Sequence, residues 1–449
     1  MATIIVNDPG SNNDIYPNLF SAFTAAVDGD VVSVPYNKTY TMTSGITVTK
    51  KVSFIGNGIG NTIITRSDAL DDSALLLPNG IWLSMINFTR PSTTVSGVTY
   101  NDDRPCNIVV SGFTFRSKTP SFYNDGHDGL SIALDKGVVF TNCVDFKIYG
   151  CRFEYFGNGG IEINHRDYLA RGLVYNCEFF MNVKGTGETA RGYGYGITVY
   201  GEGKDWYSNV KFGSADMIFI EDCTFDWHRH SVASAGGSRH VVRYNTMRFN
   251  IVHAPFSHCI DTHESRGFTA SNGLYQQSQN SYGSRIIEVY NNNIINSTRT
   301  TGLTPMDNGC PDGFIEERAI GITSGQAVVF NNACRGYRFM IGMHSSDAEA
   351  AGVASGATAY PWKQQPGWIS GRRKGTGHTG TDSVSGGDDL HYWNNSFTAY
   401  TLTGGGSCQL FYNYDADGGN VGTMFALERE YHPTARPGYL PFPYPHPNR

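Results

Sequence analysis

The sequence predicts an all-β fold, a right-handed parallel β-helix that forms one domain across residues 1–449. Three observations predict it. The first is a repeat of strand, turn and strand. Six segments overlay: Phe146-Lys-Ile-Tyr-Gly-Cys-Arg-Phe153, Gly172-Leu-Val-Tyr-Asn-Cys-Glu-Phe179, Ile218-Phe-Ile-Glu-Asp-Cys-Thr-Phe225, Val241-Val-Arg-Tyr-Asn-Thr246, Ile287-Glu-Val-Tyr-Asn-Asn292 and Val328-Val-Phe-Asn-Asn332. His391-Tyr-Trp-Asn-Asn-Ser-Phe397 is a weaker seventh copy. Repeats at irregular spacings of roughly 20 to 60 residues mark a solenoid with insertions. The second observation is another row of short strands: Leu130-Ser-Ile-Ala133, Ile161-Glu-Ile-Asn164, Ile197-Thr-Val-Tyr200, Val232-Ala-Ser-Ala235, Ile260-Asp-Thr-His263, Ile320-Gly-Ile-Thr323 and Ile341-Gly-Met-His344. The third is composition. With 53 Gly, 26 Tyr, 26 Phe and only 16% charged residues, the chain suits many short strands and turns. Parallel crossovers are right-handed, which sets the hand.

The elements follow in order. Residues 16–28 carry apolar side chains at helical spacing with Pro17 at the start, so a capping helix is expected over the first coil. Strands are expected at 31–34, 46–49, 52–55 and 62–65. Cys151, Cys177 and Cys223 fall at one position of successive coils and are expected as free, buried thiols. Asn176, Asn245, Asn291, Asn331 and Asn394 are assigned to the adjacent corner, where Asn tolerates the left-handed conformation. Residues 345–389 form the longest loop. Residues 425–449 are the Pro-rich carboxy-terminal tail; its stretch 435–447 cannot pair as a strand and is expected to lie back along the solenoid.

Composition also excludes classes. The net charge of −6 gives no basic footprint for nucleic acid. No apolar run approaches membrane-spanning length. Nine cysteines without zinc-site spacing imply neither a full disulfide framework nor a structural metal. Met1-Ala-Thr-Ile-Ile-Val carries no signal peptide, so the expectation is a secreted protein whose leader is absent, or a virion-associated one.

In the second row of strands the first and third residues point inward and the second and fourth outward. The outward columns are then Ser131, Glu162, Thr198, Ala233, Asp261, Gly321, Gly342, and Ala133, Asn164, Tyr200, Ala235, His263, Thr323, His344. Long insertions flank this row on both sides, which describes an open groove with a small-residue floor and walls rich in Tyr, Trp and Arg. Seven coils at about 4.8 Å give a floor of roughly 35 Å, a fit for a polymer. Aromatic walls stack on sugar rings, so the expected partner is a polysaccharide, in particular an anionic one.

The densest polar cluster joins Asp226-Trp-His-Arg-His230 to His258-Cys-Ile-Asp-Thr-His-Glu264. His230, His258 and Arg318 are assigned to one coil position. Three chemistries use such a set. Proton abstraction beside a uronate carboxylate takes a base, His230 or His263, and a neutralising cation, Arg229 or Arg318. Glycoside hydrolysis takes two close carboxyls, with Asp226 or Glu264 partnering Asp261. A divalent cation takes ligands from His228, His230, His258, Asp261 and His263. The catalytic set is therefore His230, Asp261, His263, Arg229 and Arg318. Glu162, His165, Tyr200, His258, Trp227 and His344 are the substrate-binding candidates.

Resemblance adds to this reading. The segments 30–35, 40–42 and 51–58 resemble the first coils of right-handed β-helix proteins of the pectate-lyase-like group of carbohydrate-active proteins. The terminus 437–447 resembles that of uncharacterised bacterial β-helix proteins. Ile260-Asp-Thr-His-Glu264 is similar to the Phe-Asp-Pro-His-Glu stretch of alginate C5-epimerases, with Thr262 at the Pro position. Arg229-His-Ser-Val232 and Asp128-Gly-Leu130 look like further pieces of that site, in a different chain order. The resemblance implies His chemistry at Asp261 and His263. Lyase- or epimerase-like action on a polysaccharide is the expectation. A glycoside hydrolase of the same fold and a trimeric viral tailspike depolymerase are the alternatives; otherwise the chain is expected as a monomer.

Overall fold

The structure is a computed structural model. It describes residues 1–67, 84–90, 92–95, 98–101, 105–117, 135–165, 171–182, 194–201, 211–249, 258–262, 268–269, 275–276, 284–296, 318–337, 339–344, 368–369, 372–373, 389–398, 409–414 and 431–449. Among the described residues, three parallel sheets of twelve, ten and ten strands wind as a right-handed β-helix. Each full coil gives one strand to each sheet in turn. The third sheet carries the candidate site.

The repeats stack as their pattern requires. In the first sheet Phe146 pairs with Gly172, Gly172 with Ile218, Ile218 with His240 and His240 with Ile287. Alternation of side chains sends one set into a continuous core. In the second sheet this set is a phenylalanine ladder: Phe115, Phe153, Phe179 and Phe225 stack with centroids 5.3, 5.3 and 4.7 Å apart. A helix, Tyr16–Ala25, closes the amino-terminal end with Leu19, Ala22 and Phe23 buried. It is shorter than expected, because Ala26 is already extended and Lys50 Nζ binds the carbonyls of Thr24 and Ala26 at 2.5 and 2.6 Å. A cation at that end satisfies carbonyls the helix leaves open.

Two register expectations are corrected. The strand that pairs with Gly159–Asn164 is Lys136–Thr141, with Val138 opposite Ile161 and Val139 opposite Glu162. Val139 and Thr141 therefore replace Ser131 and Ala133 in the outward columns; residues 130–133 lie outside the described ones. Two runs with the same period lie a few residues apart, and periodicity does not choose between them. Likewise Tyr244, not Asn245, holds the left-handed corner that Asn176, Asn291, Asn331 and Asn394 hold in their coils.

Asn245 instead continues the cysteine stack. Cys151, Cys177 and Cys223 are free and buried, as expected. From the next coil the same position holds Asn245, Asn292, Asn332 and Asn395. Each Asn Oδ1 accepts the backbone N–H of the residue one coil earlier, at 2.9 to 3.1 Å from Cys223, Asn245, Asn292 and Asn332. The Asn side-chain amides donate onward along the row at 2.9 to 3.0 Å.

Tyr431–His432 pairs with Leu390–His391 at the edge of the first sheet, and residues 433–449 run back over the outer face of that sheet. Arg243 donates to the carbonyls of Phe442 (2.7 Å) and Pro443 (2.9 Å). Tyr439 binds Glu288 at 2.6 Å, Tyr444 stacks on Tyr244 at 3.5 Å, and Arg449 reaches Glu221 at 2.7 Å. No described helix is long and apolar enough to cross a membrane.

Candidate functional site

The third sheet presents two outward columns side by side. One holds Glu162, Thr198, Ala233, Asp261, Gly321 and Gly342, in the register expected. The other lies at the strand starts, where Gly159 pairs with Tyr195, Tyr195 with His230, and Arg318 with Phe339. Because Val232 pairs with Ile260 and Ile260 with Ile320, His258 stands between His230 and Arg318. The core takes Val232 and Ile260, while Ala233 and Asp261 face away from it.

Side chains of the strand-start column lean over the other. Lys136 pairs with Glu162, whose Oε1 also accepts from Asn164 at 2.8 Å. The His258 ring reaches Asp261, with Nε2 2.5 Å from Oδ1. Arg318 lies along the two glycines. A β-carbon on Gly342 would sit 2.6 Å from Arg318 Cδ, and one on Gly321 would sit 3.0 Å from His258 Nε2 and 3.1 Å from Arg318 Nε. Glycine is needed here for space, not for an unusual φ. This overlap also explains a difference from expectation: Ala233 and Asp261 are each only 3% exposed, where an open floor was expected.

The centre of the site is a carboxylate that two neighbouring imidazoles approach. His230 Nε2 stands 3.6 Å from Asp261 Oδ2. The two rings are 4.3 Å apart. His230 Nδ1 is 3.0 Å from the His258 carbonyl oxygen and 3.4 Å from the His258 backbone nitrogen; in the tautomer that makes the shorter contact, Nδ1–H donates to the carbonyl and the lone pair is on Nε2. One ligand atom from each of His230, His258 and Asp261 lies within 4.8 Å of the others, so the trio also suits a divalent cation.

Tyr195 is the member that sequence reasoning missed. Its ring stacks on His230 at 5.6 Å, and its hydroxyl accepts from Arg229 Nη1 at 2.9 Å. The signal was available: Tyr195-Gly-Ile197 aligns with His230-Ser-Val232 once the row is extended two residues upstream.

Of the other expected residues, His263 lies outside the described residues, as do Asp128 and Glu264. His344 ends its strand opposite Tyr414, and its side chain is not described. His165 is buried at the far end of its strand, where a β-carbon on Gly201 would meet its ring at 2.7 Å. Tyr200 is half-buried and pairs with Ala235. Trp227 occupies a left-handed corner at φ 63°. His228, offered as a metal ligand, is not in the cluster. It turns into the core between the carbonyls of Phe179 (3.2 Å) and Asn182 (3.4 Å), and burial pushes its pKa down to about 4. Asp226 stands on the second sheet, where burial raises its carboxyl pKa.

No protein-family model matches the sequence, and no curated protein matches it. Solved structures do resemble it. The chain is similar to an alginate lyase from Paenibacillus sp. str. FPU-7, with 11% identity over 92% of this chain and 99% of that one, TM-score 0.41. It is similar to an endo-xylogalacturonan hydrolase from Aspergillus tubingensis, with 11% identity over 92% and 91%, TM-score 0.45. It is also similar to the Dettilon tailspike protein (gp208), with 11% identity over 76% and 58%, TM-score 0.41.

Proposed function

We propose that the protein is a polysaccharide-active enzyme that abstracts a proton beside the carboxylate of a uronate-type sugar, by elimination or epimerisation. The observation that carries this reading is the convergence of His230 and His258 on Asp261, at 3.6 and 2.5 Å, beside Arg318. His230 Nε2 is the base. Asp261, oriented by His258, stabilises the imidazolium that forms. Arg318 faces the sugar carboxylate and offsets the charge that builds on it as the proton leaves. Tyr195, held by Arg229, is the second proton-transfer group. In elimination the C–H pair becomes the new double bond, the glycosidic oxygen departs with its own pair, and Tyr195 protonates it. In epimerisation Tyr195 returns a proton to the opposite face.

Hydrolysis is less supported. It needs carboxyls about 5 to 9.5 Å apart. Glu162 is three strands from Asp261 in register, about 14 Å at the usual strand spacing. Its charge is also taken up by Lys136. A metal-assisted form of the same elimination is the second reading, favoured by the 4.8 Å convergence of the three ligand atoms. There a bound cation would take the place of Arg318 at the carboxylate.

A panel of uronate-containing and neutral polysaccharides tests the proposal. Elimination gives new reducing ends together with the ultraviolet absorbance of an unsaturated uronate. Epimerisation gives neither but alters the sugar composition. New reducing ends without that absorbance would overturn the reading in favour of hydrolysis. Loss of turnover on chelation, restored by one cation, would select the metal-assisted form.

A further inference from the structure

We infer that Asp389, His391 and His432 bind a divalent transition-metal ion of the zinc class, and that the ion pins the carboxy-terminal tail to the last coil. The three residues stand on the first sheet, not the third. His391 belongs to the strand Leu390–Trp393 and His432 to Tyr431–His432, and the two are direct register partners. Their rings stack at 4.5 Å with 15° between planes. Asp389 precedes the first strand by one residue, and its Oδ2 is 3.2 Å from His432 Nε2. Two ligands held at about 2.0 to 2.2 Å by one tetrahedral zinc ion are about 3.3 Å apart.

Two further features suit a metal. One ligand atom from each residue lies within 4.8 Å of the others. His391 Nδ1 is 3.3 Å from the Thr434 carbonyl oxygen and donates to it, which leaves Nε2 with the lone pair. A second hydrogen bond of this kind orients most metal-binding histidines. Arg436, on the same turn of the tail, reaches Gln326 at 3.5 Å and lies over the Phe212 ring at 4.6 Å, and its charge also acts on His391. The donor set of two imidazoles and one carboxylate leaves a fourth position for water.

The position explains what the ion would do. His432 is where the chain leaves the solenoid and turns back across the first sheet. A ligand bond there closes the last coil and fixes the start of the tail. Metal binding of this kind adds directly to folding stability. The site is independent of the proposed catalytic trio, so its failure would leave that reading untouched.

The test uses the full chain, stripped with a chelator and dialysed, then titrated with Zn²⁺ by calorimetry and with Co²⁺ by visible absorption. The proteins are wild type, His432→Ala, Asp389→Asn and His258→Ala. The near-isosteric Asp389→Asn covers the case in which His432→Ala misfolds. Expected is the loss of one equivalent in His432→Ala and Asp389→Asn, and its retention in His258→Ala. Limited proteolysis should cleave the stripped wild-type tail about tenfold faster than the zinc-loaded one, in line with the coupling of metal to folding. Absence of binding by wild type overturns the proposal. So does an unchanged wild-type stoichiometry in Asp389→Asn, or loss in His258→Ala of the same equivalent that Asp389→Asn loses.

Discussion

Asp261 is the residue on which the proposed chemistry turns, because both imidazoles meet its carboxylate. Removing a general base typically lowers a rate by about 10²- to 10⁴-fold. His230→Ala should lose turnover on that order, and His258→Ala, which removes only the group that orients Asp261, should lose less; both should keep the native far-ultraviolet spectrum, since neither ring belongs to the apolar core. Full activity in both would place the site elsewhere on the sheet. Gly342→Ala is a finer probe. Its new methyl would press on Arg318 at 2.6 Å and displace the guanidinium. If Arg318 holds the sugar carboxylate, KM should rise more than kcat falls. A neutral result in steady-state kinetics would remove Arg318 from the substrate contact.

At the scale of elements, two devices join coil to coil. The asparagine ladder is one. Asn292 accepts from the Asn245 backbone and donates to Val242 and Asn332, all within buried surroundings. Asn292→Ala strands the buried Asn245 N–H and should cost about 3 kcal/mol, the upper part of the range for an unsatisfied buried group. Chemical denaturation measures it, and a loss within experimental scatter would show that water replaces the ladder. The tail is the other device. Arg243 and Glu221 are fully buried, 2.6 Å apart, with Arg449 and two tail carbonyls completing their contacts. Breaking a buried pair from one side costs about 3–5 kcal/mol. Arg243→Ala should therefore lower the thermal midpoint and release the tail to protease. An undisturbed tail would mean that the aromatic contacts of Phe442 and Tyr444 suffice.

Over the whole molecule, burial of histidine makes the fold acid-sensitive. Desolvation pushes His240 down to about 3 and His228 to about 4, from an ordinary 6.5. Below pH 6.5 the unfolded chain binds protons that the folded chain refuses. Stability is thus full above pH 6.5 and falls progressively as pH drops toward 3. Asp135 acts in the opposite sense, since burial raises it to about 6 and its contribution is lost as pH rises from 3.8 to that value. Asp226 and Glu288 are raised as well, while burial also lowers His391 and His446 to about 4. The lowered histidines outweigh the raised carboxyls, so the thermal midpoint should fall between pH 6.5 and 4; a flat profile would contradict the buried neutral imidazoles. The thiols give an independent check. Burial raises Cys151 and Cys259 to about 12. Seven of the nine cysteines are described, all free and buried. Native protein should titrate at no more than two thiols and denatured protein at nine; a third fast native thiol would misplace the stack.

The solenoid, its repeating strand rows, and the stacking of His230, His258 and Arg318 beside Asp261 were legible in the amino-acid order alone. The reason is that strand alternation and coil register are both local and repeat, so one correct overlay carries to the next coil. The amino-acid order also determined that the Pro-rich tail leaves the sheets and doubles back. Tertiary structure decided what happens at corners. At Trp227 the left-handed turn resets which face the next residue takes, and His228 goes inward although it sits two residues from His230. At Tyr244 the same conformation falls on a tyrosine, which is rare from sequence, because Tyr444 of the returning tail stacks on its ring. That contact joins residues two hundred apart in the chain, and so does the union of Arg243 with Phe442. No local pattern encodes such meetings; they exist only once the coils are wound and their outer face is there to be covered.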